Sequence, residues 1–187
     1  MIKPKNFDTT QEYGSYPTMP PGNYPCVVHL VVEGQTKNNR PKLEISMDVA
    51  SGEYKNFFAE KFRSDTRENK KWPCIVHQLT EDNEGNCSRG LKTFISAVAA
   101  SNDGFDMNAI WNENFPKYFR NKLVGCSFRL EEYISQTGEY KMALKPFRFF
   151  PLNTIADQPE PETKYLVKTA APSYMSLSDD TPLPWET

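Results

Sequence analysis

The chain has 187 residues, which is long enough for one domain with a hydrophobic core and extensions. Hydrophobic residues make up 38% of it and 15 residues are Pro, which argues against a core that packs the whole chain. The net charge is −2, but residues 151–187 carry 2 Lys and 6 acidic residues, so residues 1–150 hold 20 basic and 18 acidic side chains. This balance excludes the strongly basic footprint of many nucleic-acid-binding proteins.

No part of the sequence indicates export or membrane insertion. It lacks a run of about 18 apolar residues, the length that spans a membrane, and residues 1–6 lack the apolar region of a signal peptide. We therefore expect a soluble, cytoplasmic protein. The four cysteines, Cys26, Cys74, Cys87 and Cys126, lie far apart, and in a reducing compartment free thiols are expected rather than disulfides.

The first third of the chain predicts an irregular arm and three strands. Residues 1–20 have no hydrophobic period, and the Pro-Pro-Gly turn at 20–22 closes off this arm. Residues 24–32 are apolar and β-branched, residues 42–49 alternate polar and apolar side chains, and a turn-rich segment separates them. After the break at Gly52, the aromatic and basic residues 54–63 predict the third strand.

The middle of the chain predicts a long loop and one helix. Residues 64–90 are polar, with room for a short helix after Pro73. Apolar residues at positions 91, 94, 95 and 98 have helical spacing, with Ser88 as N-cap and Asn102 and Gly104 past the end.

Two further strands and a tail complete the pattern. Pro116 interrupts the aromatic stretch 110–120. The pattern of residues 123–133 predicts a strand, and a turn at Thr137-Gly138 leads into a last strand at 140–150. Residues 151–187 contain 6 Pro and an excess of acids, so we expect a disordered tail.

This order predicts a mainly β fold, with a five-stranded OB-like barrel, an inserted helix and a disordered acidic C-terminal tail. An OB barrel is a five-stranded Greek-key barrel whose open face binds oligonucleotides. A small α+β sheet fits the order nearly as well. The expected organisation is an arm at 1–21, an OB-like domain at 22–150 and the tail at 151–187.

Several spaced segments resemble a family of small phage and prophage proteins of Gram-positive bacteria, long labelled as a domain of unknown function. The resemblance covers about residues 22–150. It is carried by GNYPCVV at 22–28, LEISMDVASGEYKNFF at 43–58, LKTFISAVAASNDG at 91–104, KLVG at 122–125, EEY at 131–133 and PFRFF at 146–150.

The family looks like single-stranded-DNA-binding proteins of replication and recombination modules. The resemblance implies an OB-like fold and a phage protein that coats single-stranded DNA with little sequence preference, in the cytoplasm of the host cell. It supplies no catalytic residues, and no cofactor is expected.

Binding single strands without sequence preference requires cations that follow the phosphates and rings on which bases stack. Aromatic and basic residues interleave at 54–63 and in the last strand, and two loops carry further cations. Rings at alternating positions are more often core than stacking surfaces, so only some of them are expected to bind DNA. The candidate DNA-binding residues are Arg40, Lys42, Lys55, Phe57, Lys61, Arg63, Lys71, Trp72, Lys145, Phe147 and Arg148.

The sequence also leaves a zinc site and two alternative functions to weigh. Cys26 with His29 and Cys74 with His77 have zinc-ligand spacing, but residues i and i+3 of a strand point to opposite faces, so buried structural side chains are favoured. A metal-dependent nuclease or recombination accessory enzyme would use carboxylates such as Glu53 or Glu139. A phage adaptor would bind a host protein and no DNA.

The last ten residues, SDDTPLPWET, resemble the acidic tip of bacterial single-stranded-DNA-binding proteins, in which acids precede a Pro-Phe pair that docks into partners. Here Pro184 and Trp185 would stand for that pair, after Asp179 and Asp180. The resemblance implies a partner among replication or recombination proteins. Deleting residues 178–187 is expected to abolish capture of that partner and to spare or raise DNA affinity.

Overall fold

The computed structural model describes residues 1–5, 7, 8 and 18–166. Its main feature is one antiparallel sheet, in which the strand order is β3-β2-β1-β4-β5. The strands are β1 (Gly22–Gln35), β2 (Pro41–Val49), β3 (Ile75–Leu79), β4 (Leu123–Ile134) and β5 (Tyr140–Phe150). The helices are α1 (Phe57–Ser64), α2 (Arg89–Ser101) and two 3-10 helices at Phe115–Phe119 and Leu152–Asp157. The mainly β prediction is confirmed, but among the residues that the structure describes the sheet does not close into the predicted barrel.

β1 is the central strand and pairs with β2 on one side and β4 on the other. Its buried residues are Cys26, Val28 and Val31. The register shifts between Val28 and Leu30, which marks a bulge. Because of this extra residue, Val31 rather than Leu30 continues the buried face, and Leu30 is exposed.

α2 confirms the predicted helix and its N-cap. The hydroxyl of Ser88 accepts a hydrogen bond from the backbone N–H of Leu91 at 3.1 Å. The buried face of α2 presents Phe94, whose ring stacks on Phe119 and lies 4.9 Å from the ring of Phe149 in β5. α2 therefore covers the core at the β5 side of the sheet.

The prediction of a third strand at 54–63 is wrong, because this segment forms α1. Its N-cap residue, Asn56, has φ 61° and makes no side-chain capping bond. The acceptors come from Asp48 at the end of β2, which bonds the backbone N–H groups of Phe58 and Ala59, each at 2.9 Å. A cap that lies ten residues upstream leaves no local signature in the sequence.

The real third strand is β3, within the segment predicted as a polar loop with a short helix after Pro73. β3 has only five residues and pairs with β2, with Ile45 opposite Val76. Its inner face packs Val76 against the core. A short strand without clear alternation is hard to distinguish from a loop by pattern alone.

Residues 151–166 contact α2 and the sheet, although the sequence assigned them to the tail. The backbone N–H of Leu152 donates to the hydroxyl of Ser101 at 3.0 Å. Further along, Lys164 bridges to Glu131 in a parallel arrangement, so the chain runs alongside β4. This part of the predicted tail is therefore packed on the domain.

Among the helices that the structure describes, none combines the length and the hydrophobicity of a membrane span.

Candidate nucleic-acid interface

The two edge strands of the sheet, β3 and β5, border one groove of about 930 Å³. No pairing joins these strands in the part of the chain that the structure describes. We call this the β3–β5 groove. It is lined by Thr18, Met19, Phe57, Phe58, Lys61, Pro73, Ile75, Val76, His77, Gln78, Leu130, Met142, Ala143, Leu144, Lys145, Pro146 and Phe147.

The charge of the groove favours an anion. Its lining includes Lys61 and Lys145, whereas none of the described residues that line it is Asp or Glu. Lys61 is exposed and takes part in no ion pair within residues 18–166. Cations without bound carboxylates are free to approach phosphate groups.

α1 brings Phe57 and Lys61 to the groove together. Residues four apart lie on the same face of a helix, so both side chains face the same way, whereas Arg63 points elsewhere. Phe57 is half-buried, with its ring edge-on to those of Tyr54 and Phe58. The sequence-based prediction placed Phe57 and Lys61 on one face because it assumed the alternation of a strand, whereas helical spacing is the actual reason.

Phe147 lies at a bulge in β5. Ser127 pairs with Arg148 and Phe128 pairs with Pro146, which leaves Phe147 as the extra residue. The residue is 36% exposed and lines the groove. A bulge often re-aims a side chain, and here it presents a ring where the alternation of the strand would not.

Two guanidinium groups lie over the Phe147 ring, Arg129 at 4.4 Å and Arg148 at 5.6 Å from the centroid. The Nε of Arg148 is buried without a hydrogen-bond partner. These contacts place phosphate donors beside the Phe147 ring, and a base would stack on the part of the ring that they leave uncovered.

Glu131 partly neutralises this end of the groove. Its carboxylate accepts hydrogen bonds from Arg129 at 2.7 and 2.9 Å and lies 3.8 Å from the Nζ of Lys145. Burial opposes ionisation of Glu131, but the bond from Arg129 and the charges of Arg129, Lys164 and Lys145 outweigh it and lower the pKa. Glu131 is therefore ionised at neutral pH and competes with any phosphate for these cations.

The groove continues into a set of exposed side chains at the tip of the β4–β5 hairpin, which sequence reasoning missed. Ile134 pairs with Tyr140, and Met142 lies two residues further along β5 and lines the groove. The exposed hydrophobic residues here are Tyr133, Ile134, Tyr140 and Met142. The available signal was bulky side chains directly flanking a polar Ser-Gln-Thr-Gly turn, where polar residues are usual.

The structure places Arg40 and Lys42 outside the groove. Arg40 donates from its guanidinium to the backbone carbonyl of Glu81 at 3.1 Å, which ties the β1–β2 loop to the segment after β3. Lys42 forms an ion pair with Glu44 at 2.7 Å and lies 3.5 Å from the Nδ1 of His77. Both cations are held by protein partners.

Trp72 also lies outside the groove lining and has a structural environment. Its indole N–H donates to the carbonyl of Met47 at 2.8 Å, and its ring packs against His29 and Phe62. The remaining candidates, Lys55, Arg63 and Lys71, are exposed cations that do not line the groove.

The Cys-x-x-His pairs occupy different environments. Cys26 and Cys74 are buried, whereas His77 is exposed. Burial raises the pKa of the Cys74 thiol well above its ordinary value, and Cys26 and Asp48 act in the same direction. Within the described ranges, no three His, Cys, Asp or Glu side chains are grouped so that they could hold a metal.

The candidate partner-binding residues Asp179, Asp180, Pro184 and Trp185 lie outside the described residues.

The chain matches no protein-family model, and no curated protein matches it.

Proposed function

We propose that this protein binds single-stranded DNA along the β3–β5 groove, without catalysis and with little sequence preference. The observation that carries the proposal is the meeting of two cations, Lys61 and Lys145, with two rings, Phe57 and Phe147, in a groove without a lining carboxylate. Sequence-tolerant binders of single strands combine these two kinds of side chain.

We include in the proposal that the five-stranded antiparallel sheet is an opened OB-like barrel. An OB barrel is a five-stranded, partly open Greek-key barrel. Here β3 and β5 border the same groove, so pairing between them would close the sheet, and α2 lies between β3 and β4 in the chain. In OB domains the β4–β5 loop contributes to oligonucleotide binding, and in this chain that hairpin carries exposed rings.

The resemblance to phage single-stranded-DNA-binding proteins supports a role in replication or recombination. We include in the proposal a phage origin, action in the host cytoplasm and a replication or recombination partner for the C-terminal tail. Because residues 1–150 carry only a small net charge, such a role requires cations to be concentrated at one surface. Two of them, Lys61 and Lys145, line the groove.

A titration of labelled oligo-dT tests the proposal. The oligonucleotide should be about 20 nucleotides long, since one OB-type domain covers roughly 4–16 nucleotides. At about 50 mM salt with a chelator, fluorescence anisotropy should rise with protein, and affinity should fall linearly with salt on logarithmic axes. An unlabelled duplex of the same length should compete poorly.

Two outcomes would contradict the proposal. Absence of binding at about 50 mM salt, where phosphate contacts are strongest, would exclude single-stranded DNA as the ligand. Loss of the intact oligonucleotide on addition of Mg²⁺ or Mn²⁺ would instead indicate a metal-dependent nuclease, and Glu53→Ala or Glu139→Ala would then be the variants to examine.

A further inference from the structure

A second cavity, of about 650 Å³, shares no lining residue with the β3–β5 groove. It lies where the β1–β2 hairpin meets the loop after β3 and the segment before Phe115–Phe119. We call it the Trp111 pocket. Its lining includes Glu33, Lys42, Glu81, Cys87, Trp111 and Phe115.

The wall of this pocket is an unusually exposed indole. Trp111 is 59% exposed, although its ring stacks on buried Phe115 with centroids 5.3 Å apart and planes 26° apart. One face of the indole is thus supported by the core. Rigid, partly exposed Trp side chains of this kind are enriched among the residues that carry most of the binding energy at protein interfaces.

The opposite wall is held in shape by backbone hydrogen bonds. Thr80 N–H donates to the carbonyl of Pro41 at 3.1 Å, and Asp82 N–H donates to the carbonyl of Asn86 at 2.8 Å. Glu81 and Cys87 form a bridge between the two arms of this loop. A pre-formed wall reduces the ordering cost of binding.

The rim of the pocket is acidic, in contrast to the β3–β5 groove. Glu33 and Glu81 line it, Asp82 and Glu84 belong to the same loop, and Glu113 follows Trp111 by two residues. None of these carboxylates forms an ion pair within residues 18–166.

The two nearby cations offset this charge only in part, because Arg40 keeps its charge and helps to lower the pKa of Asp82 after the backbone hydrogen bonds to that carboxylate, while five carboxylates stand against it. Lys42, the cation in the lining, is paired with Glu44 at 2.7 Å. Arg40 is bonded to the carbonyl of Glu81. The local field therefore repels phosphate groups and acidic peptides, including an acidic segment such as residues 178–187.

We propose that the Trp111 pocket binds a basic segment of a partner protein, which inserts an aromatic or aliphatic side chain against the indole of Trp111. The apolar anchor gains area against Trp111, while flanking Lys or Arg side chains meet Glu33 and Glu81. This site is independent of the β3–β5 groove, so a partner can occupy it while the groove holds another ligand.

Three short peptides that carry the same neutral dye test this inference on the full chain. They are Lys-Lys-Phe-Lys-Lys, Lys-Lys-Ser-Lys-Lys and Glu-Glu-Phe-Glu-Glu, each with blocked ends. The basic Phe peptide should bind, and the other two should bind roughly tenfold more weakly or not at all, since both the anchor and the charge are needed. Equal binding of the acidic and basic Phe peptides would overturn the proposal.

Two variants assign the binding to this pocket. Trp111→Ala should weaken the basic Phe peptide roughly tenfold, and Glu33→Lys combined with Glu81→Lys should move the preference toward the acidic peptide. If Trp111→Ala binds the basic peptide like the unchanged protein, the proposal is wrong.

Cys87 supplies a second readout that needs no substitution. It lines the pocket and is the one exposed cysteine of the four. Saturation with the basic Phe peptide should slow its reaction with N-ethylmaleimide several-fold, whereas oligo-dT should leave the rate unchanged. Protection of Cys87 by oligo-dT, with none by peptide, would assign the pocket to nucleic acid and overturn the peptide proposal.

Discussion

The carboxylate of Asp48 accepts a hydrogen bond from the backbone N–H of Phe58, ten residues further along the chain, at 2.9 Å. Asp48 is 1% exposed. Through this contact the end of β2 fixes the first turn of α1, the helix that carries Phe57 and Lys61 to the groove. The position of two proposed DNA-binding side chains therefore depends on a buried acid that does not line the groove.

Replacing Asp48 with Ala should lower the free energy of unfolding by about 1–3 kcal/mol, because buried backbone N–H groups lose their acceptor. Urea denaturation measures the change. Asp106→Ala is the matched control, since Asp106 accepts a backbone hydrogen bond from Asn108 at an exposed turn. A loss no larger than that of the control would mean that Asp48 does not hold α1.

The double variant Lys61→Ala with Lys145→Ala should weaken oligo-dT binding and flatten its salt dependence. Each phosphate contact to a single strand contributes about 0.7 to the slope of log affinity against log salt, so the slope should fall by about 1.4. Arg89→Ala with Lys92→Ala removes the same charge from α2, outside the groove lining. If both double variants change the slope equally, the groove is not the binding site.

Phe147→Ala should reduce oligo-dT affinity about 5- to 150-fold, since each stacked base is worth about 1–3 kcal/mol. Phe147→Trp should retain most of the affinity because it keeps a flat ring. Tyr118→Ala removes an exposed ring outside the groove and serves as the control. If Phe147→Ala lowers the melting temperature but leaves oligo-dT affinity unchanged, the ring serves packing rather than DNA binding.

Glu131→Gln should raise oligo-dT affinity several-fold, because it releases Arg129 and Lys145 for phosphate contacts. Glu113→Gln changes the net charge equally, away from the groove lining, and should have a much smaller effect. An unchanged affinity for Glu131→Gln would show that these cations do not meet phosphate.

The same variant should change the acid stability of the protein. The pKa of Glu131 in the folded state lies below its ordinary value of 4.5, so ionised Glu131 stabilises the fold above that value. This contribution is lost as the pH falls from about 4.5 through the lowered pKa. Thermal melts should therefore show a flatter pH dependence in this range for Glu131→Gln than for the unchanged protein.

Local patterns predicted the elements whose signals lie within them. The helical spacing and N-cap at Ser88 predicted α2, and Thr137-Gly138 predicted the β4–β5 hairpin. α1 was misassigned because its cap, Asp48, lies in another element. β3 was missed because five residues in a polar segment carry little pattern and gain their stability from pairing with β2.

The sequence predicted which kinds of side chain would bind DNA, but it did not predict where in the fold they would come together. The sequence selected Lys61, Lys145 and Phe147, but it also selected Arg40 and Trp72, whose polar groups bond to backbone carbonyls. The candidates that line the groove can be distinguished from Arg40 and Trp72 only when the approach of β3 to β5 is known. That approach joins residues about 70 positions apart, so no local window contains it.

Most open sheets have two edges that lie far from each other, and each invites an unrelated strand. Here both edge strands border the β3–β5 groove, so one extended ligand in the groove would shield both edges at once. The amides of β3 and β5, at opposite ends of the strand order, should then slow their hydrogen exchange together when the groove is filled. Ligand binding in this molecule would therefore link β3 and β5, the two edge strands of its sheet.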